Sequence, residues 1–254
     1  MIDPAKAAKD ARNEFRRLWE MEGALRPGPR STQSARTIAR AAIAIADAEG
    51  LQALSMRQIA GSLSISAMAL YNHVPGKAEL LSIMIDEVAS EMLEPTSGDW
   101  HSRATCIAWT NWQSLMRHPW MLSVESHRPV IGPNVIRKYD QELAAFNHLG
   151  LSDIEMDFAL NSLLGLVRGC AATQIDANGL LKKLDQTDME WWQVRQPLLE
   201  QLEIERLFPL ASRVGAAIGA HSSSPQSPED SFRFGLDRWL GGMADLIAAR
   251  TTSR

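Results

Sequence analysis

The sequence predicts an all-α fold, and three observations carry that expectation. Apolar residues recur at three- and four-residue intervals along most of the 254 residues. Gly- and Pro-containing breaks, such as Pro27-Gly28-Pro29, Pro75-Gly76, Pro95 to Gly98 and Gly132-Pro133, divide the periodic stretches. Two very short periodic segments sit either side of a tight turn near Ser64, the pattern of a helix-turn-helix. The expected organisation is an amino-terminal helical extension with a basic arm at 1–32, a three-helix helix-turn-helix unit with a linking helix at 33–94, and a larger helical body at 95–254.

Residues 4–24 read as a helix carrying Phe15, Leu18 and Trp19 beside Lys6, Lys9, Arg12, Arg16 and Arg17. The run Arg26 to Arg30 then breaks it. Arg26 and Arg30, on an extended Pro/Gly segment, are candidates to enter a minor groove, as basic arms beside other helix-turn-helix units do; a solvated linker is the competing reading. The next helix begins at Thr32 or Ser34 and runs to about Glu49, with Ile38, Ala42, Ile45 and Ala46 as its buried stripe and Gly50 as its stop.

Met56, Ile59, Ala60 and Leu63 give one buried helical face, and Ser55 stands where an N-cap hydroxyl would accept a first-turn N–H. After the turn, Ser66 caps a second short helix to about Asn72, with Met68 and Leu70 able to face inward and small or polar groups outward. Such a second helix fits a major groove. An ordinary helical corner would show the same pattern.

The residues at this place also carry a resemblance. The run ADAEGLQALSMRQIA at 46–60 followed by SAMALYNHVPGKAELL at 66–81 resembles the DNA-binding domain of the tetracycline-repressor (TetR) family, over residues 33 to 93. That resemblance implies a homodimeric, ligand-responsive transcriptional regulator, a repressor of a near-palindromic operator. It places Ser55, Tyr71 and Lys77 at phosphates and makes Arg57 the candidate for a guanine edge. Ser66, Ala67, Met68 and Asn72 would face bases or thymine methyls, and His73 a phosphate or its own helix end. Two departures stand out. Ser64 replaces the usual glycine, so a non-Gly residue is expected at positive φ, and Ala69 replaces a frequent hydroxyl residue.

From Gly76 a long helix through Leu93 buries Leu80, Leu81, Met84, Val88 and Met92; in the family this helix links the two domains. The body begins with Trp100 to His118, where Trp109, Trp112 and Met116 share a face that Trp120 continues past Pro119. Such a stripe is either core or the wall of a pocket for a small apolar or aromatic effector. Phe158 and Asn161, on the helix that Ser152 caps and that runs to about Ile175, are the further pocket candidates. Before it, Val135 to Leu149 forms a helix with Ile136, Tyr139, Leu143 and Phe146 inward. Residues 176 to 220 hold one or two more helices, and the run 221–228 is a loop. The closing helix, Glu229 to Ala249, carries Phe232, Leu236, Trp239 and Met243. The stretch FRFGLDRWLGG at 232–242 resembles the last helix of the tetracycline-repressor-type carboxy-terminal domain. By that resemblance Phe232, Leu236, Trp239 and Met243, with Gly165 and Gly169 of the preceding long helix, form the dimer interface; a helix that docks within its own chain is the competing reading.

Composition excludes several classes. The chain is 45% hydrophobic and 22% charged, as globular proteins are, and no apolar run reaches the ~18 residues of a membrane span, so a cytoplasmic protein is expected. The net charge is −4, yet residues 1 to 80 hold 11 Lys and Arg against 8 Asp and Glu, leaving 15 against 22 in the remainder. A mildly basic head on an acidic body suits local phosphate contact rather than general coating of nucleic acid. The six His show no metal-ligand spacing, and Cys106 and Cys170 read as buried thiols. No catalytic constellation, metal or cofactor is implied. A helical ligand-binding protein without DNA binding is the alternative.

Overall fold

The computed structural model describes residues 11–13, 15, 16, 18, 19, 35–92, 97–124, 129–184, 188–221 and 228–252. The regular elements among them are all helical. They are α1 at described residues 11–13, 15, 16, 18 and 19, α2 Ala35–Glu49, α3 Met56–Ser62, α4 Ala67–His73, α5 Lys77–Ser90 and α6 Trp100–Arg117. A 3-10 turn Pro119–Ser123 precedes α7 Pro133–Leu143, α8 Asp153–Leu184, α9 Asp188–Gln201, α10 Ile204–Leu207, α11 Pro209–His221 and α12 Pro228–Thr252.

Two apolar cores organise the described residues. The first lies under the helix-turn-helix: Ile38 and Ala42 of α2, Ile59 of α3, Leu70 of α4, and Leu80, Met84 and Val88 of α5 are buried together. Leu18 of α1 joins this core, so the extension packs into the head. The second core joins Ile107 and Trp112 of α6, Leu160, Leu163 and Val167 of α8, Phe232, Leu236 and Leu240 of α12, and Phe146. Burial of each such side chain contributes roughly 1.5–3 kcal/mol before conformational entropy is charged against it.

Local chemistry sets the helix ends. Ser152 and Glu155 form a reciprocal capping box at α8, with Ser152 N–H and hydroxyl donating to Glu155 Oε2 at 2.8 and 2.9 Å and Glu155 N–H donating back to Ser152 Oγ at 3.3 Å. Helix α12 packs along α8, and Gly235 permits it: a Cβ there would lie 2.8 Å from Leu166 Cδ1.

Several expectations from periodicity are corrected. Ile136 and Tyr139 of α7 are exposed, because the inward face of that helix is polar: Asn134 and Glu142 are buried and paired. Met68 is 73% exposed while Leu70 takes the inward position on α4. Cys106 is exposed rather than buried. Helix α8 runs to Leu184, beyond the expected end at Ile175. The expected loop at 221–228 lies mostly outside the described residues. No helix among the described residues is long and apolar enough to cross a membrane, and no group of three or more potential metal ligands occurs among them.

Candidate nucleic-acid interface and effector region

The interface is built on two capped turns. Ser55 Oγ accepts from Gln58 N at 3.2 Å and Ser66 Oγ accepts from Ala69 N at 3.1 Å, fixing the first turns of α3 and α4. Each hydroxyl keeps its own hydrogen to donate outward. Between the helices Ser64 has φ 54°, the left-handed conformation that the missing glycine would have held without a Cβ penalty. Leu70, wholly buried, anchors α4 and fixes its rotation. Rotation then leaves Ala67, Met68, Tyr71 and Asn72 exposed on one outward surface, with Arg57 exposed beside them on α3. His73 is half-buried at the end of α4.

Lys77 is engaged more closely than its spacing suggested. Its Nζ donates to Leu51 O and Leu54 O, both at 3.2 Å, tying the start of α5 to the loop before α3. One of its three N–H groups remains for an anion. Arg26 and Arg30 lie outside the described residues.

The six residues expected to line an effector pocket are not brought together. Trp112 stacks on Phe232 with centroids 4.7 Å apart, and Trp109 meets the same ring edge-on at 4.9 Å. These rings, with Met116 packed nearby, fill the second core. Trp120 belongs to the first core, because Pro119 ends α6 and the 3-10 turn swings the indole towards the head, where its Nε1 donates to Asp47 Oδ1 at 2.8 Å. Phe158, 66% exposed, and Asn161, whose amide is held by Asp157, face away from the core on α8. The structure does hold a small cleft between α6 and α7, with about 20 Å³ of room, lined by Met92, Cys106, Ile107, Thr110, Lys138, Gln141 and Glu142. Its polar wall is ordered by Glu142, which accepts from Lys138 Nζ at 2.6 Å and Asn111 Nδ2 at 2.7 Å.

The expected interface residues divide by face. Phe232, Leu236 and Met243 are buried and Trp239 half-buried within the protomer itself, and Trp239 Nε1 donates to Ser162 Oγ at 2.9 Å. They are corrected to core residues, since the same helix face cannot pack on α8 and on a second copy. Gly165 and Gly169 lie on the opposite, open face of α8, with nothing within 4 Å of a Cβ placed there. That face continues through Ile154 and Phe158, and α12 adds Phe234 at 70% exposure.

Sequence reasoning missed the junction between head and body. Asp86 of α5, fully buried, caps α7 from outside, accepting from Asn134 N at 2.9 Å, Val135 N at 3.1 Å and Asn134 Nδ2 at 2.9 Å. Burial pushes its carboxyl above the usual range, against the pull of those bonds. Gly132 makes room, since a Cβ would lie 2.0 Å from Asp86 Oδ1. A second tie joins Trp19 Nε1 of α1 to Ile131 O at 3.2 Å. A third joins Asp47, Glu91 and His118. An Asp inside the apolar stripe of α5 was the one signal available in the sequence.

Comparison with known proteins places this geometry. Residues 38–83 match the family described as bacterial regulatory proteins, tetR family, and residues 94–247 match the tetracyclin repressor-like, C-terminal domain. The HTH-type transcriptional repressor DrrR1 of Streptomyces coeruleorubidus is 34% identical over 236 residues, which are 92% of this chain and 85% of that protein. Apo ActR from Streptomyces coelicolor superposes with a TM-score of 0.65 at 25% identity, covering 87% of this chain and 99% of that one. ActR in complex with actinorhodin gives 0.63 at 22% identity, covering 85% and 97%. Matching both domains of the family in order, and 34% identical to an HTH-type transcriptional repressor over 92% of its length, the chain belongs to the TetR family of transcriptional regulators.

Proposed function

We propose that this regulator is a homodimeric, ligand-responsive repressor whose α4 helices enter successive major grooves of a near-palindromic operator, about one helical turn or a little more apart. The observation that carries the reading is the outward surface of α4, where Met68, Tyr71 and Asn72 are exposed around the buried anchor Leu70. A surface of that kind on a helix too short to stand alone is suited to a groove rather than to a further core. Arg57 reads a guanine edge, Ser66, Ala67, Met68 and Asn72 face bases or thymine methyls, and Ser55, Tyr71 and the remaining N–H of Lys77 meet phosphates. His73 closes the helix end, and Arg26 and Arg30 extend the contact into the minor groove. No membrane partner is involved and the protein acts in the cytoplasm.

The dimer forms through the open faces of α8 and α12. Ile154, Phe158 and Phe234 supply apolar area, and Gly165, Gly169 and Gly241 allow close helix crossing; an exposed apolar face of this extent marks an interface. A small effector enters between α6 and the helices around it, near the cleft with Lys138 and Glu142, and opens the closed ring cluster of Trp109, Trp112 and Met116. The ActR complex with actinorhodin supports a fold able to admit such a molecule. Binding would release DNA only through a difference in affinity for two states of the protein.

Footprinting on the DNA upstream of the protein's own coding sequence tests the reading. Two protected half-sites about one turn or a little more apart are expected; protection without a paired spacing, or none, contradicts it.

A further inference from the structure

At the seam between head and body, one carboxylate oxygen of the head holds two groups of the body. Asp47 Oδ1, on α2, accepts from Trp120 Nε1 at 2.8 Å and stands 2.8 Å from His118 Nδ1. The other ring nitrogen, His118 Nε2, lies 3.2 Å from Glu91 Oε2 at the end of α5, and Arg117 Nη1 reaches that same oxygen at 3.0 Å. His118 is 2% exposed and is itself the C-cap of α6, its backbone N–H donating to Ser114 O at 2.8 Å. On the far side, Arg168 of α8 donates to Leu122 O of the 3-10 turn at 3.1 Å.

These contacts make the end of α6 a fixed point for both halves of the head. Helix α2 carries the floor under α4, and α5 holds the loop before α3 through Lys77. A shift of α6 therefore pulls on α2 through Nδ1 and on α5 through Nε2. His118 is the buried partner of the two carboxylates, whose own side chains keep 27% (Asp47) and 37% (Glu91) exposure.

We propose that His118, with Asp47 as its receiver, is the positioning latch through which the body sets the orientation of the reading head. The inference rests on reading α2 to α5 as a DNA-reading head, but its test needs no DNA. Calorimetry of the full-length chain is compared with that of His118→Phe, which leaves Asp47 bonded to Trp120 and Glu91 bonded to Arg117, so that neither carboxylate is stranded. The wild type is expected to melt in one transition. His118→Phe is expected to melt in two, with unchanged far-ultraviolet helix content before melting. A single transition in both, shifted or not, would show a merely structural contact and overturn the latch. Should His118→Phe fail to fold, His118→Leu, which likewise removes both ring nitrogens, carries the same two outcomes. A protein that shows the split but never binds its upstream DNA would keep the latch and sink the reading of the head; normal DNA binding with single transitions would sink the latch alone.

Discussion

In the reading head, α2, α3 and α4 bury Ile38, Ile59 and Leu70 completely and turn Arg57, Tyr71 and Asn72 outward. In the body, α8 and α12 bury Leu160, Leu163, Phe232 and Leu236 on one face, yet leave Ile154, Phe158 and Phe234 exposed on the other. The head thus has one dry face and one wet face per helix, whereas the paired body helices have apolar groups on both. Where a helix has a single apolar stripe, that stripe identifies its core. Where it has two, burial in the protomer separates the face spent on folding from the face left exposed.

Two phenylalanines on α12 offer the sharpest way to break that comparison. Phe232→Ala, which removes the ring stacked on Trp112, should cost about 3–5 kcal/mol in denaturant unfolding. Phe234→Ala, two residues on and 70% exposed, should change monomer stability by less than about 0.5 kcal/mol, while sedimentation shows a weakened dimer. Equal costs for the two would dissolve the distinction between faces. Next in size is Gly132→Ala: its Cβ must displace Asp86 from the cap of α7, and a loss of about 1–3 kcal/mol is expected from thermal or urea unfolding.

The glycines of α12 make a finer test. Gly235→Ala meets Leu166 and should be neutral to mildly destabilising, whereas Gly241→Ala has open space around it and should gain up to about 1 kcal/mol of helix propensity in the monomer. If Gly241 lies at the dimer crossing, the same change weakens association. Of similar size, Ser64→Gly should relieve the φ of 54° and stabilise the head by about 1 kcal/mol, with operator affinity unaltered.

The head was largely legible in the sequence, down to the Ser55 and Ser66 caps and the strained Ser64, because each of those features is decided by a few adjacent residues. Met68 was only half readable: apolar chemistry suited it to the core and to a thymine methyl alike, and Leu70 settled the helix rotation. In the body, Trp120 was assigned to the wrong core because periodicity was carried past Pro119, where the 3-10 turn redirects the chain. Phe232 and Phe158 were exchanged between interior and surface, since both satisfy helical spacing and only the partner helix decides. The polar inward face of α7 and the ties through Asp86, Asp47 and His118 depend on residues 27 to 73 positions apart, which no local pattern connects.

The most direct measurement is fluorescence anisotropy of the full-length protein on its own upstream DNA, beside the double variant Arg57→Ala with Tyr71→Ala. Both side chains are exposed and belong to neither buried core, so the variant should keep its fold. The account predicts wild-type binding at roughly nanomolar concentrations that weakens steeply with salt, and binding about a hundredfold weaker in the variant. No binding by the wild type, or equal binding by the two, would contradict it.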